Sequence, residues 1–107
     1  MIKNRLKKEW AVGRSTLNGW LSINSAFVAE IIAEQGFDSI TVDMQHGALS
    51  YEGMLLMLQA MRASGVVPMV RIPWNRPENI MKALDAGAFG IICPMINTRT
   101  EAEEFVK

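Results

Sequence analysis

The chain has 107 residues, 50% of them hydrophobic, and its 11 lysines and arginines are cancelled by 11 aspartates and glutamates. A neutral chain argues against a nucleic acid or an anionic membrane surface as partner, and no apolar run approaches the roughly 20 residues of a membrane span. The basic start, Met1 to Trp10, lacks the apolar run of a secretory signal, and the single cysteine, Cys93, excludes an internal disulfide and points to a reducing cytoplasm.

The length suits one ordinary domain or part of a larger one. Ile2 to Val12 reads as a short amphipathic helix. Ile2, Leu6, Trp10 and Val12 share one side, Lys3, Arg5, Lys7 and Lys8 form the solvated remainder, and Gly13 is the stop. Residues 18–23 (NGWLSI) read as a first strand. Asn24 or Ser25 can cap the helix that follows through Gln35, whose buried stripe is expected at Phe27, Val28, Ile31 and Ile32. Gly36 ends that helix, and residues 37–43 form a second strand. Ser50 is a candidate cap for a helix with Met54, Leu55, Leu58 and Met61 at helical spacing, ended by Ser64-Gly65. The many methionines are expected to be core gap-fillers.

Residues 66–72 (VVPMVRI) read as a third strand, although Pro68 removes a ladder donor. Pro77 fits the first turn of the next helix, Glu78 to Ala86, and Gly87 ends it. Residues 89–93 (FGIIC) form a fourth strand, closed by Pro94. Thr98 or Thr100 can cap a last helix that carries Glu101, Glu103 and Glu104 near its start.

Strands alternating with helices predict an α/β fold with a parallel sheet and right-handed crossovers. Two closures are open. One is a doubly wound sheet of four strands. The other is the amino-terminal half of a (β/α)8 TIM barrel, which needs roughly 250 residues when complete. The absence of a glycine-rich phosphate loop after the first strand favours the half barrel, as does a chain that stops at Lys107 inside a helix. Such an arc leaves two strand edges unpaired, so a homo-oligomer or a second half is expected to cover them.

The stretch Val42-Asp43-Met44-Gln45-His46-Gly47 carries the only histidine and sits where the second strand stops. In α/β folds the carboxyl edge of the sheet holds the chemistry. Asp43 and His46 read either as an acid/base site there or as a structural histidine beside an N-capping aspartate. Arg71 ends the third strand, on the same side as Met69, with Val70 and Ile72 pointing the other way. An arginine there needs an anion. A salt bridge to Asp43 on the neighbouring strand and a fork for a substrate carboxylate remain equal alternatives. His46 and Arg71 follow consecutive strands and are expected at one mouth. An acid or base beside a carboxylate clamp suits chemistry on a 2-oxo acid. Trp20, on the first strand, is expected to bind substrate with Arg71. Asp43, Asp85 and His46 have no metal-ligand spacing.

FDSITVDMQHG, then PMVRIPWN, then IMKALDAGAFGIICPMINTRTEAEEFV, together resemble the HpcH/HpaI aldolases, pyruvate-dependent class II enzymes related to citrate lyase β-subunits. The resemblance runs from about Asn18 to Lys107. It implies a (β/α)8 barrel that cleaves 4-hydroxy-2-oxo acids to pyruvate and an aldehyde with a divalent metal, magnesium or manganese. It implies that His46 is the acid/base, that Arg71 holds the pyruvate oxygen and stabilises the enolate, and that Asp43 supports the histidine. Gln45 stands where many members have glutamate. The family's glutamate and aspartate metal ligands fall on later strands, so this chain has no residue to inherit them. Residues 1–107 are then one partial aldolase domain, a short helix over 2–12 followed by four β/α units, and by itself expected to be inactive. Two other readings stay open: a truncated, non-catalytic barrel relative serving as a structural oligomer module, and a small α/β module that binds an anionic metabolite.

Overall fold

A computed structural model describes residues 4–106. Its elements are α1 (Arg5–Ala11), β1 (Asn18–Leu21), α2 (Ala26–Ala33), β2 (Ser39–Asp43), α3 (Tyr51–Met61), a 3-10 turn over Arg62–Ser64, β3 (Val67–Arg71), α4 (Pro77–Asp85), β4 (Gly90–Ile92) and α5 (Arg99–Val106). The four strands are parallel neighbours in the order β1-β2-β3-β4. Gly19 pairs with Ile40, and Asp43 with Arg71, so β2 and β3 end level with each other. The expected order and direction of the strands are those observed, each two residues shorter than read from the sequence.

The core lies between the sheet and the helices on one face. Ile40, Val42, Val70 and Ile72 point there and are fully buried. They meet Ala29 and Ala33 of α2, Met54, Met57, Leu58 and Met61 of α3, and Ala83 of α4. Burying such a side chain contributes about 2 kcal/mol, which is why these strands alternate so strictly. Three core methionines on one helix fit its irregular seam with the sheet. Gly53 allows α3 to approach the β1–α2 loop, since a Cβ there would sit 2.5 Å from the Asn24 amide oxygen.

The helix faces depart from the expected ones. In α2 the inward stripe is Val28, Ala29, Ile32 and Ala33, whereas Phe27 is 71% exposed and Ile31 45%. Both faces are apolar, so hydrophobic spacing did not distinguish them; the small alanines let the helix sit close to the sheet. In α1 only Leu6 is buried, with Trp10 and Val12 exposed, and Ile2 lies outside the described residues. Arg5 does more than face water: its guanidinium donates to the carboxylate of Asp38 at 3.0 Å and to the Asp38 carbonyl at 2.9 Å. The Asn4 amide donates to the Phe89 carbonyl at 3.2 Å, and its oxygen caps α1 by accepting from Leu6. Asp38 and Phe89 precede β2 and β4, so α1 is fastened beneath the amino ends of the strands.

Ser25 caps α2 by accepting from the backbone N–H of Val28. Ser50 has extended backbone before α3, but its side chain makes no capping bond. Of the two threonines proposed for α5, Thr98 accepts from the N–H of Glu101. Pro68 is tolerated in β3 because its carbonyl accepts from Phe89 at 2.8 Å. A residue's N–H and C=O point to the same side of a strand, so the missing donor faces the chain before β4 begins.

Candidate active site at the carboxyl end of the sheet

The face opposite the core carries a different set of side chains. Ser39, Thr41 and Asp43 alternate with the core residues of β2, and all three are buried. The Asn18 amide of β1 donates to the Ser39 hydroxyl at 2.8 Å and to the Thr41 hydroxyl at 3.0 Å. An open groove of ≈ 630 Å³ runs along the same face, lined by Asn18, Trp20, Ser39, Met69 and Ile92.

Asp43 organises the carboxyl end. It is 2% exposed, and such a carboxylate stays charged only where donors replace its water. One oxygen, Oδ1, accepts from the backbone N–H groups of Gln45 at 3.0 Å and His46 at 3.2 Å, and from Arg71 Nε at 3.0 Å. The other, Oδ2, accepts from Arg71 Nη2 at 2.6 Å and from Trp20 Nε1 at 3.1 Å. The in-register pairing of Asp43 with Arg71 places this fork. The Arg71 guanidinium holds the Asp43 carboxyl far below the usual carboxylate range; burial opposes this, and the N–H groups of His46, Trp20 and Gln45 reinforce it. Asp43 in turn raises Arg71 above its ordinary value.

The two alternatives for Arg71 are not exclusive. Its side edge, Nε and Nη2, is spent on Asp43. A guanidinium has a separate end edge, formed by Nη1 and the second Nη2 hydrogen, which fits a carboxylate just as well. The Arg71 side chain is 23% exposed. Trp20 completes the group: the Arg71 guanidinium carbon lies 5.0 Å from the centroid of its ring.

His46 follows β2 by three residues. Asp43 reaches it through its backbone N–H, so the aspartate fixes the loop rather than the imidazole, which belongs to an exposed residue. Gly47 is needed by close approach, because a Cβ there would strike the Asp43 carbonyl oxygen. His46, Arg71, Asp43 and Trp20 therefore all belong to one carboxyl-end cluster built around a single carboxylate. Cys93, at the end of β4, is half-buried, and burial followed by the charge of Glu101 pushes its thiol up, away from the reactive thiolate.

The divalent metal implied by the resemblance does not fit the side chains present. Among the described residues no group of three or more His, Cys, Asp or Glu could hold an ion, and both oxygens of Asp43 are engaged by N–H donors. The sequence reading missed the bond from the Trp20 indole to Asp43 and the Asn18–Ser39–Thr41 lattice. The signal was the strict alternation of Ser39-Ile40-Thr41-Val42-Asp43, which marks a second, polar face.

A family model described as HpcH/HpaI aldolase/citrate lyase matches residues 16–107. A hydroxypyruvate/pyruvate aldolase of Rhizorhabdus wittichii is 43% identical over 100 residues, which are 94% of this chain and 40% of that protein. A 4-hydroxy-2-oxo-heptane-1,7-dioate aldolase of Escherichia coli is 33% identical over 106 residues, 99% of this chain and 40% of that protein. The crystal structure of an HpcH/HpaI aldolase/citrate lyase family protein from Burkholderia cenocepacia superposes with a TM-score of 0.89 at 34% identity, covering 97% of this chain and 42% of that one. The chain thus spans about two fifths of the length of the relatives it matches, and its four parallel strands with outer helices are the amino-terminal half of a (β/α)8 barrel. On sequence and fold together, the chain belongs to the HpcH/HpaI aldolase/citrate lyase family.

Proposed function

We propose that the chain supplies the 2-oxo-acid-handling side of a carbon–carbon lyase active site, for aldol cleavage or condensation of 4-hydroxy-2-oxo acids to pyruvate and an aldehyde within a complete barrel. The observation that carries the reading is the Arg71 guanidinium, held by its side edge on Asp43 with its end edge left for a ligand. In cleavage, His46 takes the proton of the 4-hydroxyl, directly or through water. The bond between carbons 3 and 4 breaks, the aldehyde leaves, and the electron pair moves onto the C2 oxygen. Arg71 meets that oxyanion as it forms, where a fixed cation is most effective. The proton held by His46 returns to the enolate carbon and gives pyruvate. Trp20 lines the same mouth. Carboxylates for magnesium or manganese come from outside residues 1–107, so turnover by this chain alone is expected to stay at background. A reducing cytoplasm suits the reading.

The test is a chimera of residues 1–107 joined to the remaining β/α units of the Rhizorhabdus wittichii relative, assayed for pyruvate release with manganese or magnesium. We expect turnover that falls by about 10² to 10⁴ in His46→Ala and by a similar factor in Arg71→Ala. A folded chimera whose turnover ignores both substitutions would overturn the assignment and leave Asp43–Arg71 as a structural pair.

A further inference from the structure

We infer that Trp20 is a positioning residue for Arg71, fixing the tilt at which its end edge meets the mouth. The inference rests on the reading of Arg71 as the ligand-facing cation. Two bonds to one carboxylate keep a guanidinium from sliding, but they leave it free to swing about the line joining them, like a leaf on a hinge. In this site the hinge line runs from Nε to Nη2 against Asp43. Nη1, which forms one half of the free end edge, lies off that line, so any swing displaces it.

The indole opposes this motion in two ways. Its ring stands over the guanidinium, with 5.0 Å between Cζ and the centroid, so a swing toward β1 meets the ring face. Its N–H donates to Asp43 Oδ2 at 3.1 Å, the same oxygen that accepts from Arg71 Nη2. The ring is therefore itself anchored to the far leaf of the hinge. Neither phenylalanine nor leucine can provide both contacts: the first keeps the face and loses the donor, and the second loses the face as well. A ring that carries a hydrogen bond to Asp43 and a cation contact to Arg71 at once fits a brace.

The experiment follows the Arg71 Nε–H resonance in the ¹⁵N-labelled chain, assigned by its loss in Arg71→Lys. Its exchange with solvent is compared in wild type, Trp20→Phe and Trp20→Leu. Trp20→Leu is expected to speed exchange by about tenfold or more, since it removes both a charge-accepting hydrogen bond and a cation–π contact. Trp20→Phe should lie between, at about two- to fivefold. The Arg5 guanidinium, whose Nη1 and Nη2 groups are braced on Asp38 at the amino end, is the internal control. Global loosening would speed both arginines, whereas loss of a brace moves Arg71 alone. Equal acceleration of Arg5 and Arg71, or an unchanged Arg71 in both variants, overturns the inference. Should Trp20→Leu fail to fold, Trp20→Phe decides by the same criterion. Titration with pyruvate separates this from the function: an Arg71 freed by Trp20→Leu but blind to millimolar pyruvate in wild type would leave the brace standing and remove its ligand.

Discussion

Replacing Asp43 by asparagine keeps the shape of the side chain and removes its charge. The variant's single oxygen can face only part of a donor set that comprises Arg71 Nε and Nη2, Trp20 Nε1 and the N–H groups of Gln45 and His46. The amide NH₂ must then point at one of those donors. Arg71 is left with an unpaired charge at the carboxyl end of the sheet. Breaking a buried pair from one side costs about 3–5 kcal/mol, and the lower end applies because the Arg71 side chain, 23% exposed, regains some water. With a urea slope near ~1.5 kcal/mol per molar for a chain of this size, a loss of about 3 kcal/mol moves the unfolding midpoint down by about 2 M. Urea titrations followed by tryptophan fluorescence read this directly, since Trp20 sits on the perturbed carboxylate. Adding Arg71→Leu to Asp43→Asn should recover part of the loss, because the unpaired charge is then gone. A midpoint shift below about 0.5 M, or a double variant no more stable than Asp43→Asn alone, would refute the account of Asp43 as a buried hub.

The pH dependence follows from the same group. Asp43 titrates lower in the folded chain than unfolded, so its stabilisation is complete above the ordinary carboxylate value near ~4 and is lost as pH falls through that value toward the folded one. Urea midpoints should be flat from neutrality to about pH 5 and then drop, more steeply in wild type than in Asp43→Asn; Asp38, lowered by the Leu17 N–H and by Arg5, adds to the same limb. Ser25→Ala should cost about 1 kcal/mol by thermal or urea unfolding, through the lost cap of α2, whereas Ser50→Ala, which breaks no capping bond, should be nearly silent. Gly47→Ala should cost about 2 kcal/mol, because the new methyl group meets the Asp43 carbonyl and the loop carrying His46 must move. Phe27→Lys should change urea stability of this chain by less than about 0.5 kcal/mol, as the ring is exposed, while Ala29→Lys should prevent folding.

The fold was legible because its signals were redundant. Each helix stop at Gly36, Gly65 and Gly87 coincides with a positive φ of 96°, 80° and 112°, so the punctuation read from the sequence marks real left-handed turns. The strand order came from the same alternation. The facing of the helices was less legible. In α2 nearly every residue is apolar, and the residues that enter the core at closest approach are Ala29 and Ala33. A scale that ranks side chains by hydrophobicity picks Phe27 and Ile31 instead, since it does not register that a nearby sheet has room only for a methyl group. Ser50 shows another limit: a capping residue at the right position still needs the rotamer that reaches back to the helix, and its neighbours decide that.

The site was half legible, for a reason that lies in parallel sheets. Position after a strand puts Asp43, His46 and Arg71 at one edge without any knowledge of side chains. What joins them depends on register, which the sequence does not print. A shift of β3 against β2 by one residue would turn Arg71 onto the opposite face. With the observed register Asp43 pairs with Arg71, and the competition posed by the sequence, salt bridge against ligand fork, dissolves. A guanidinium offers more than one edge, so the pair that stabilises the fold also sets the direction in which the free edge points. Asp43 thereby links three elements: β1 through the Trp20 indole, β3 through Arg71, and the loop after β2 through the N–H groups of Gln45 and His46. Stability and candidate chemistry rest on the same carboxylate. Substitutions that tune Arg71 for a ligand will therefore register in unfolding experiments, and those that remove Asp43 will disturb His46 although no imidazole contact is broken.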